Sequence, residues 1–364
     1  MLPRVDTDDE GDAIVPDEQI LRRGVAALCT RLGLRDAPLA RFPAGSLPVY
    51  AVGDRYVLKL FPAASAADAR AEARVLAHLQ GRLPVPTPYV YDAGEYENGW
   101  RYVLMSRLRG SDLAVAWPRV PRAERDRIAT EAGETLAALH AVDPAPLADV
   151  LGPGDWPAFL AAQRASAVDR QRARALPAPW LEQIPAFLDS VALPDSVALP
   201  VSVPVPVPVP VPEAEAEAEA EAEAEVEVEA GAGGGAGAGP GGGAGAGPGG
   251  GAGAGVLLHT EFMRQHLLID ASDDWRLTGL IDFEPAMIGH RAYDFVAVGL
   301  FVSRGDPRLL ARVLRAYGER FDPRELLALT LLHVHSDLPW YLRELPAPPR
   351  PTLDALAERW FGTH

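Results

Sequence analysis

Short apolar runs separated by turn residues mark the first third of the chain. The apolar runs 48–52 and 56–60 flank a Gly53-Asp54 pair, and a Gly-Asp pair between apolar runs is typical of a tight hairpin turn. A third apolar run, Arg101–Met105, predicts another strand. We therefore expect a small antiparallel sheet in this part of the chain.

Helical spacing of apolar residues dominates much of the remaining sequence. Four segments show it: 66–79, 122–141, 293–302 and 307–321. Two late stretches, 256–269 and 277–283, are instead apolar and strand-like. Strands early and helices late predict an α+β chain with a small sheet lobe and a larger, mainly helical lobe.

Low-complexity sequence interrupts the second lobe. Residues 199–212 alternate Pro and Val, residues 213–230 alternate Glu with Ala or Val, and residues 231–255 are almost wholly Gly and Ala. Tracts of this composition favour extended or flexible chain over a packed core. We expect a disordered insert at 194–255, with a functional interaction arm as the alternative, and a disordered acidic N-terminus at 1–18.

Composition narrows the choice of partners and compartment. The formal charge of −16 argues against nucleic acid and is compatible with a cationic partner, although nine glutamates between 213 and 229 supply much of it. Cys29 is the only cysteine, which excludes an intramolecular disulfide and a cysteine-based zinc site and fits a cytoplasmic location. The chain shows no signal peptide, and no run of 18 apolar residues outside the Gly/Ala tract, so no membrane partner is expected.

The only lysine of the chain, Lys59, lies in an apolar strand. Glu72 follows thirteen residues later and shares one helix face with Leu76 and Leu79, at i, i+4 and i+7. A carboxylate on a buried stripe needs a partner, and Lys59 is the natural candidate. Kinases hold the α- and β-phosphates of ATP with such a strand lysine and helix glutamate. A plain surface ion pair is the alternative that the pair alone leaves open.

A second group of residues narrows these alternatives. One apolar stretch leads into His259-Thr260-Glu261, another ends in Ile281-Asp282-Phe283, and Tyr293-Asp294 follows. This order resembles the catalytic segment of the aminoglycoside phosphotransferase and choline kinase-like family, whose pattern is His-x-Asp, four residues, Asn, then Ile-Asp-Phe or Ile-Asp-Trp, then Tyr-Asp. The segments 103–110 and 136–140 extend the resemblance, which spans roughly residues 40 to 345.

The resemblance implies a two-lobed, protein-kinase-like fold. Its N-lobe, expected at 19–107, is a small antiparallel sheet that binds the nucleotide. Its C-lobe, expected at 108–364, is mainly helical, carries the catalytic and substrate-binding residues, and is interrupted by the insert at 194–255.

The resemblance also implies nucleotide and metal contacts. Lys59 and Glu72 hold phosphates, and the hinge from Met105 to Arg107 meets the base. Ser46, in a loop with one glycine, is a candidate phosphate contact, with a plain turn as the alternative.

Two positions differ from the family pattern. The resemblance makes Glu261 and His259 the candidate catalytic residues. Glu261 replaces the catalytic Asp and is expected to orient or deprotonate the acceptor hydroxyl. Asp282 is expected to hold magnesium, but His266 replaces the metal-binding Asn, and imidazole is a poor magnesium ligand. We expect Glu284, two residues beyond Asp282 on the same strand face, to supply the missing oxygen.

The function that the resemblance implies is transfer of the γ-phosphate of ATP or GTP, with Mg²⁺, to a hydroxyl of an aminoglycoside-like or other small, often cationic, substrate. Acidic residues of the large lobe are candidate ammonium contacts: Asp306, Glu319 and Asp337. The changes at Glu261 and His266 keep two alternatives open, namely a catalytically impaired kinase fold that binds or regulates, and a fold reused for other nucleotide chemistry. The sequence does not indicate an oligomeric state.

Overall fold

The predicted hairpin at Gly53-Asp54 lies at the centre of a five-stranded antiparallel sheet in the computed structural model, which describes residues 2–7, 10, 14, 17–193 and 255–364. The strands, in the spatial order β1-β2-β3-β5-β4, are β1 Leu39–Arg41, β2 Val49–Val52, β3 Tyr56–Phe61, β4 Val90–Glu95 and β5 Arg101–Ser106. Helix α1, Glu18–Arg31, and helix α2, Ala66–Leu79, accompany the sheet.

The two faces of the sheet follow the two-residue alternation of its strands. Leu58 and Leu60 of β3 belong to a core cluster shared with α1, whereas Phe61 belongs to the cluster shared with α2. Lys59, between Leu58 and Leu60, therefore lies on the α2 side of the sheet. It pairs in register with Val49 and Val103 of the neighbouring strands.

Residues 2–7 differ from the disorder predicted for the N-terminus at 1–18. Leu2 and Val5 are buried in the cluster on the α1 side. The Leu2 backbone N–H donates to Glu97 (3.2 Å), and the Trp100 indole N–H donates to the Pro3 carbonyl (2.6 Å). Leu2 and Val5 thus attach the described residues 2–7 to the lobe. The predicted insert at 194–255 lies outside the described residues, except for Gly255.

The C-lobe is mainly helical, as predicted. Its described helices are α3 Leu113–Ala116, α4 Arg122–Ala141, α5 Trp156–Ala173, α6 Ala178–Leu181, α7 Ile184–Ser190, α8 Asp294–Ala297, α9 Pro307–Tyr317, α10 Pro323–Leu332, α11 Leu338–Glu344 and α12 Leu353–Phe361. A π-helical turn at Val298–Ser303 continues α8. Two small antiparallel sheets accompany them, with strands β6 Ser111–Asp112, β7 Val256–Leu258, β8 Leu267–Asp270, β9 Arg276–Leu280 and β10 Met287–Gly289.

Strand and helix ends differ from prediction where polar residues or glycine intervene. The strand predicted at 256–269 divides into β7 and β8 around a loop, and the one predicted at 277–283 ends at Leu280. The helix predicted at 307–321 ends at Tyr317, because Gly318 adopts a left-handed conformation (φ 93°) that terminates it. In the part of the chain that the structure describes, no helix is both long and apolar enough to cross a membrane.

Candidate active site

Lys59 joins the two lobes through three carboxylates. Its Nζ lies 3.0 Å from Glu72 Oε2 of α2, which confirms the predicted ion pair. It also lies 2.6 Å from Asp282 Oδ1 and 2.7 Å from Glu284 Oε2, both in the C-lobe. Lys59 and Glu72 are 5% and 1% exposed, so this ammonium and its helix partner are removed from water.

Three carboxylates around one ammonium leave an excess of negative charge. Burial raises the pKa of Glu72 to about 7, and the attraction of Lys59 only partly offsets it. Burial also tends to raise the pKa of Asp282. The charge of Lys59 and the hydrogen bond and charge of His266 outweigh burial and hold this pKa well below its usual range. The carboxylates likewise hold the pKa of Lys59 above its ordinary value despite burial. The cluster is therefore suited to a further cation.

A sharp turn after β9 brings Asp282 and Glu284 to Lys59. The Ile281 N–H donates to the His266 carbonyl (3.0 Å), and Asp282 itself has a left-handed backbone (φ 71°). The prediction that Glu284 shares a strand face with Asp282 is wrong, because no strand continues past Leu280. The two carboxylates nevertheless meet at one ammonium, since the turn folds them together.

His266 fixes Asp282 from the other side. Its Nδ1–H donates to the Glu261 carbonyl (2.9 Å), and its Nε2 lies 3.1 Å from Asp282 Oδ2. Burial alone would lower the pKa of His266, but the hydrogen bond and charge of Asp282 raise it above its usual value. Both ring nitrogens can then donate, so His266 acts as a hydrogen-bond donor to Asp282 rather than as an electron-pair donor.

The residues here fit a magnesium ion through their oxygens. Ligand atoms of Glu261, His266 and Asp282 lie within 4.8 Å of one another, and Glu284 meets Asp282 at Lys59. Magnesium prefers hard oxygen donors and few protein ligands. The carboxylates of Asp282 and Glu284 supply such donors, while the imidazole of His266 does not.

Glu261 lies between this cluster and a cavity of about 360 Å³ in the C-lobe. Its Oε1 is 3.7 Å from His335 Nε2, which also lines the cavity. Burial raises the pKa of Glu261, although nearby His266 and His335 act against it. A carboxylate of raised pKa is a better proton acceptor than a glutamate of ordinary pKa. Glu261 is thus suited to accept a proton from a molecule in this cavity.

A buried aspartate that the sequence analysis gave no role holds the backbone of this loop. Asp294, fully buried, accepts from the backbone N–H groups of His259 (3.0 Å) and Thr260 (2.6 Å). His140 Nε2–H donates to the same carboxylate (2.9 Å), and Tyr317 O–H donates to His140 Nδ1 (2.8 Å). The family pattern contained both Asp294 and His140, but only the fold shows that they meet.

The contacts of His259 are those of a positioning residue. The ring is buried, Nε2–H donates to the Ile281 carbonyl (3.0 Å), and the side chain does not line the cavity. Burial lowers its pKa to about 4, so the ring is neutral at physiological pH. His259 therefore ties the start of the Glu261 loop to the start of the Asp282 turn. The catalytic role predicted for His259 stays a prediction.

The residues predicted to contact the base and a phosphate lie in the N-lobe sheet or in the loops next to it. Met105 is buried in β5, and the Arg107 backbone N–H donates to the Arg55 carbonyl (2.8 Å). The Arg107 guanidinium donates to the Gly53 carbonyl (3.1 Å), so this side chain braces the hairpin. Ser46 is exposed in the loop between β1 and β2. The contact of a nucleotide with these three residues stays a prediction.

The three acidic residues predicted to meet ammonium groups are separated in the structure. Asp306 accepts from the N–H groups that begin α9, and Glu319 pairs with Arg291 (3.2 Å). Neither lines the cavity beside Glu261, whereas Asp337 does. Asp337 is therefore the one of the three that lies in the cavity lining, and a contact of any of them with a substrate ammonium group stays a prediction.

The sequence of the chain matches the family model of the phosphotransferase enzyme family over residues 38–329. The match includes Lys59, Glu72, Glu261, Asp282 and Asp294 and covers most of the chain. The chain belongs to the phosphotransferase enzyme family. The earlier resemblance is thereby confirmed, as is the coarse function class of a phosphotransferase fold for small molecules.

Solved structures of this family share the fold. The GDP complex of wild-type aminoglycoside 2'-phosphotransferase-IIIa is 17% identical, with a TM-score of 0.58 over 85% of this chain and 88% of that one. A thermostable mutant of aminoglycoside phosphotransferase APH(4)-Ia in ternary complex with AMP-PNP and hygromycin B is 18% identical, with a TM-score of 0.54 over 93% of this chain and 99% of that one. Macrolide 2'-phosphotransferase type I is 24% identical, with a TM-score of 0.51 over 85% and 87%. At these identities the likeness shows the two-lobed kinase-like fold.

Proposed function

We propose that the protein is an O-phosphotransferase that moves the γ-phosphoryl group of ATP or GTP to a hydroxyl of a small molecule. The observation that carries this proposal is the convergence of Lys59, Glu72, Asp282 and Glu284 from both lobes, close to Glu261, which lines a cavity. Nucleotides occupy two of the similar structures, as GDP and AMP-PNP. A cytoplasmic location, expected from the single cysteine, is part of the proposal.

Each side chain of the site has a separate role in the proposed phosphoryl transfer. Lys59, held by Glu72, offers its ammonium to the phosphates, while Asp282 and Glu284 would hold Mg²⁺. When bound, magnesium would neutralise charge that develops on the phosphate oxygens. Glu261 orients the acceptor hydroxyl and takes its proton as the oxygen attacks phosphorus. The bond from the γ-phosphorus to the β-phosphate oxygen breaks, and the nucleoside diphosphate leaves with that electron pair.

His266 favours a second candidate function, a kinase fold that binds nucleotide without efficient transfer. Its ring donates to both the Glu261 carbonyl and Asp282, where the family pattern has an Asn with an acceptor oxygen. A donor at this position adds no ligand for magnesium. This alternative predicts nucleotide binding with little transfer to any acceptor.

Changing Glu261 to Gln is expected to lower phosphoryl transfer by about 10²- to 10⁴-fold, the usual contribution of a positioned general base. Because Glu261 does not contact Lys59, stabilisation of the protein by nucleotide should stay unchanged. The measurement is release of ADP or GDP across a panel of hydroxylated acceptors, with thermal unfolding in parallel. Glu261→Asp is the matched control, since it keeps the carboxylate but withdraws it by one carbon–carbon bond.

An intermediate rate for Glu261→Asp and a near-zero rate for Glu261→Gln would support the assigned role. Equal rates for wild type and Glu261→Gln would show that another group handles the hydroxyl. Nucleotide binding by wild type without acceptor-dependent transfer across the panel would support the impaired alternative instead.

A further inference from the structure

The cavity beside Glu261 has one predominantly aromatic wall. Phe301 and Trp340 stack with ring centroids 5.9 Å apart and planes inclined by 26°, and Tyr341 meets the Trp340 ring edge-on at 5.7 Å. Met263 adds a flexible apolar side chain to the same lining. Phe301 and Trp340 are only partly buried, so part of their surface is available to a ligand.

The positions of these rings are fixed by their helices. Phe301 lies in the π-helical turn Val298–Ser303, and turns of this kind occur frequently at functional sites. Trp340 and Tyr341 lie in α11, whose first turn is capped by the Asp337 carboxylate. The π-helical turn and the capped helix α11 thus hold the aromatic wall in the same cavity that Glu261 lines.

The cavity lining offers little unpaired negative charge to bind a polycation. Asp337 Oδ1 accepts from the Trp340 N–H (2.9 Å), and its Oδ2 accepts from Arg174 (2.8 Å). The guanidinium of Arg174 lines the cavity as well, so it neutralises Asp337 within the cavity itself. Burial lowers the pKa of His333, another lining residue, to about 4, so its ring carries no charge at physiological pH. Glu261 is the other carboxylate in the cavity lining, and in the proposed function it binds the reacting hydroxyl rather than an ammonium group.

Polycation recognition needs carboxylates that are not already paired, because each buried ammonium must be neutralised or hydrogen-bonded. The cavity beside Glu261 instead presents stacked rings and a guanidinium. Its volume of about 360 Å³ is at the lower end of the range for small-molecule sites. The apolar face of a ligand ring can pack on the aromatic wall, and neutral hydroxyl groups of the ligand can bond to the polar lining residues Glu261, Arg174 and Asp337.

We propose that the acceptor is a neutral or weakly charged hydroxylated compound with an apolar ring face, such as an aryl glycoside, rather than a polycationic aminoglycoside. This inference rests on the proposed function, because it takes Glu261 as the group that meets the reacting hydroxyl. The ring face packs on Phe301 and Trp340, and the hydroxyl points toward Glu261. In the transfer itself the hydroxyl oxygen bonds to the γ-phosphorus, its proton goes to Glu261, and the nucleoside diphosphate leaves.

The experiment compares two classes of acceptor with the full chain. Phenyl glycosides serve as the neutral probe and kanamycin as the polycationic one, each with ATP or GTP and magnesium. Release of nucleoside diphosphate gives kcat/KM, and thermal unfolding with nucleotide alone is recorded for every variant. We expect at least about tenfold higher kcat/KM for the phenyl glycosides, or about 1.4 kcal/mol, with little dependence on salt between low and physiological ionic strength.

Two variants and one control test whether the aromatic wall and the Arg174–Asp337 pair determine the choice of acceptor. Trp340→Ala should lower kcat/KM for the phenyl glycosides at least about tenfold, roughly the effect of losing an aromatic contact with its buried area, and leave stabilisation by nucleotide unchanged. Trp180→Ala, which changes a partly buried tryptophan away from the cavity, is the matched control and should leave kcat/KM unchanged. Arg174→Ala frees Asp337 and should raise kcat/KM for kanamycin.

The outcomes separate this inference from the proposed function. Higher kcat/KM for kanamycin, falling steeply with salt, would overturn the acceptor class while leaving the phosphotransferase function intact. Turnover of neither probe by a chain that nucleotide stabilises would also overturn it. An absence of stabilisation by either nucleotide would instead contradict the proposed function itself.

Discussion

Replacing Lys59 by methionine should lower phosphoryl transfer by about 10²- to 10³-fold, the typical effect of losing one positioned charge-stabilising group. The change should also destabilise the nucleotide-free protein by about 3–5 kcal/mol, because it removes the ammonium that three carboxylates share. Chemical denaturation measures the free energy of unfolding, and nucleoside diphosphate release measures transfer.

The double variant Lys59→Met/Glu72→Leu separates these two effects. Glu72 is 1% exposed, so replacing it by an apolar side chain removes the unpaired buried carboxylate that the single variant leaves. We expect the double variant to regain much of the lost stability and none of the lost transfer. Recovery of transfer together with stability would show that Lys59 serves the fold and not the chemistry.

Replacing Asp294 by alanine should destabilise the protein by about 3–5 kcal/mol, because each buried donor left without an acceptor costs about 1–3 kcal/mol. Asp294 is fully buried and accepts from His259, Thr260 and His140. Its loss would leave two backbone N–H groups and one imidazole N–H without an acceptor inside the core. Denaturant titration of the folded chain gives the free energy of unfolding directly.

Asp306→Ala provides the matched control. Asp306 also accepts from two backbone N–H groups, those of Arg308 (2.9 Å) and Leu309 (3.3 Å), but it is exposed at the start of α9. Losing such a cap costs about 1 kcal/mol. Similar losses of stability in the two variants would contradict the importance assigned to burial around Asp294.

The sequence was sufficient wherever local periodicity determines geometry. The i, i+4, i+7 spacing of α2 placed Glu72 on a buried face and made Lys59 its candidate partner, and their side-chain atoms lie 3.0 Å apart. The bounds of α2 and α4 also match prediction, because uninterrupted apolar spacing defines both helices. Each of these predictions depends on neighbours within a few turns of chain.

Contacts between distant segments could not be read from periodicity. Asp282 and Glu284 meet Lys59 because Asp282 adopts a left-handed backbone, which a non-glycine residue seldom does and no apolar pattern indicates. The pairing of Arg174 with Asp337, which changes the expected acceptor, joins residues from α11 and the end of α5. Such contacts follow from how the helices pack, so sequence spacing carries no signal for them.

The two positions that differ from the family pattern, Glu261 and His266, are in direct contact in the structure. His266 donates from one ring nitrogen to the carbonyl of Glu261 and lies against Asp282 with the other. A longer carboxylate at 261 and a ring at 266 therefore change neighbouring parts of the same site. In the proposed function, the oxygens of Asp282 and Glu284 would hold the magnesium ion that His266 cannot ligate.

The most direct test of the account is the effect of magnesium and nucleotide on unfolding of the wild-type chain and Asp282→Asn, each compared with its own nucleotide-free form. We predict that ATP or GTP with magnesium stabilises the wild type by about 2.7 kcal/mol at 100 times the dissociation constant. Asp282→Asn should lose the part of this gain that depends on magnesium. No stabilisation by either nucleotide, or a gain that neither magnesium nor Asp282→Asn alters, would contradict the account.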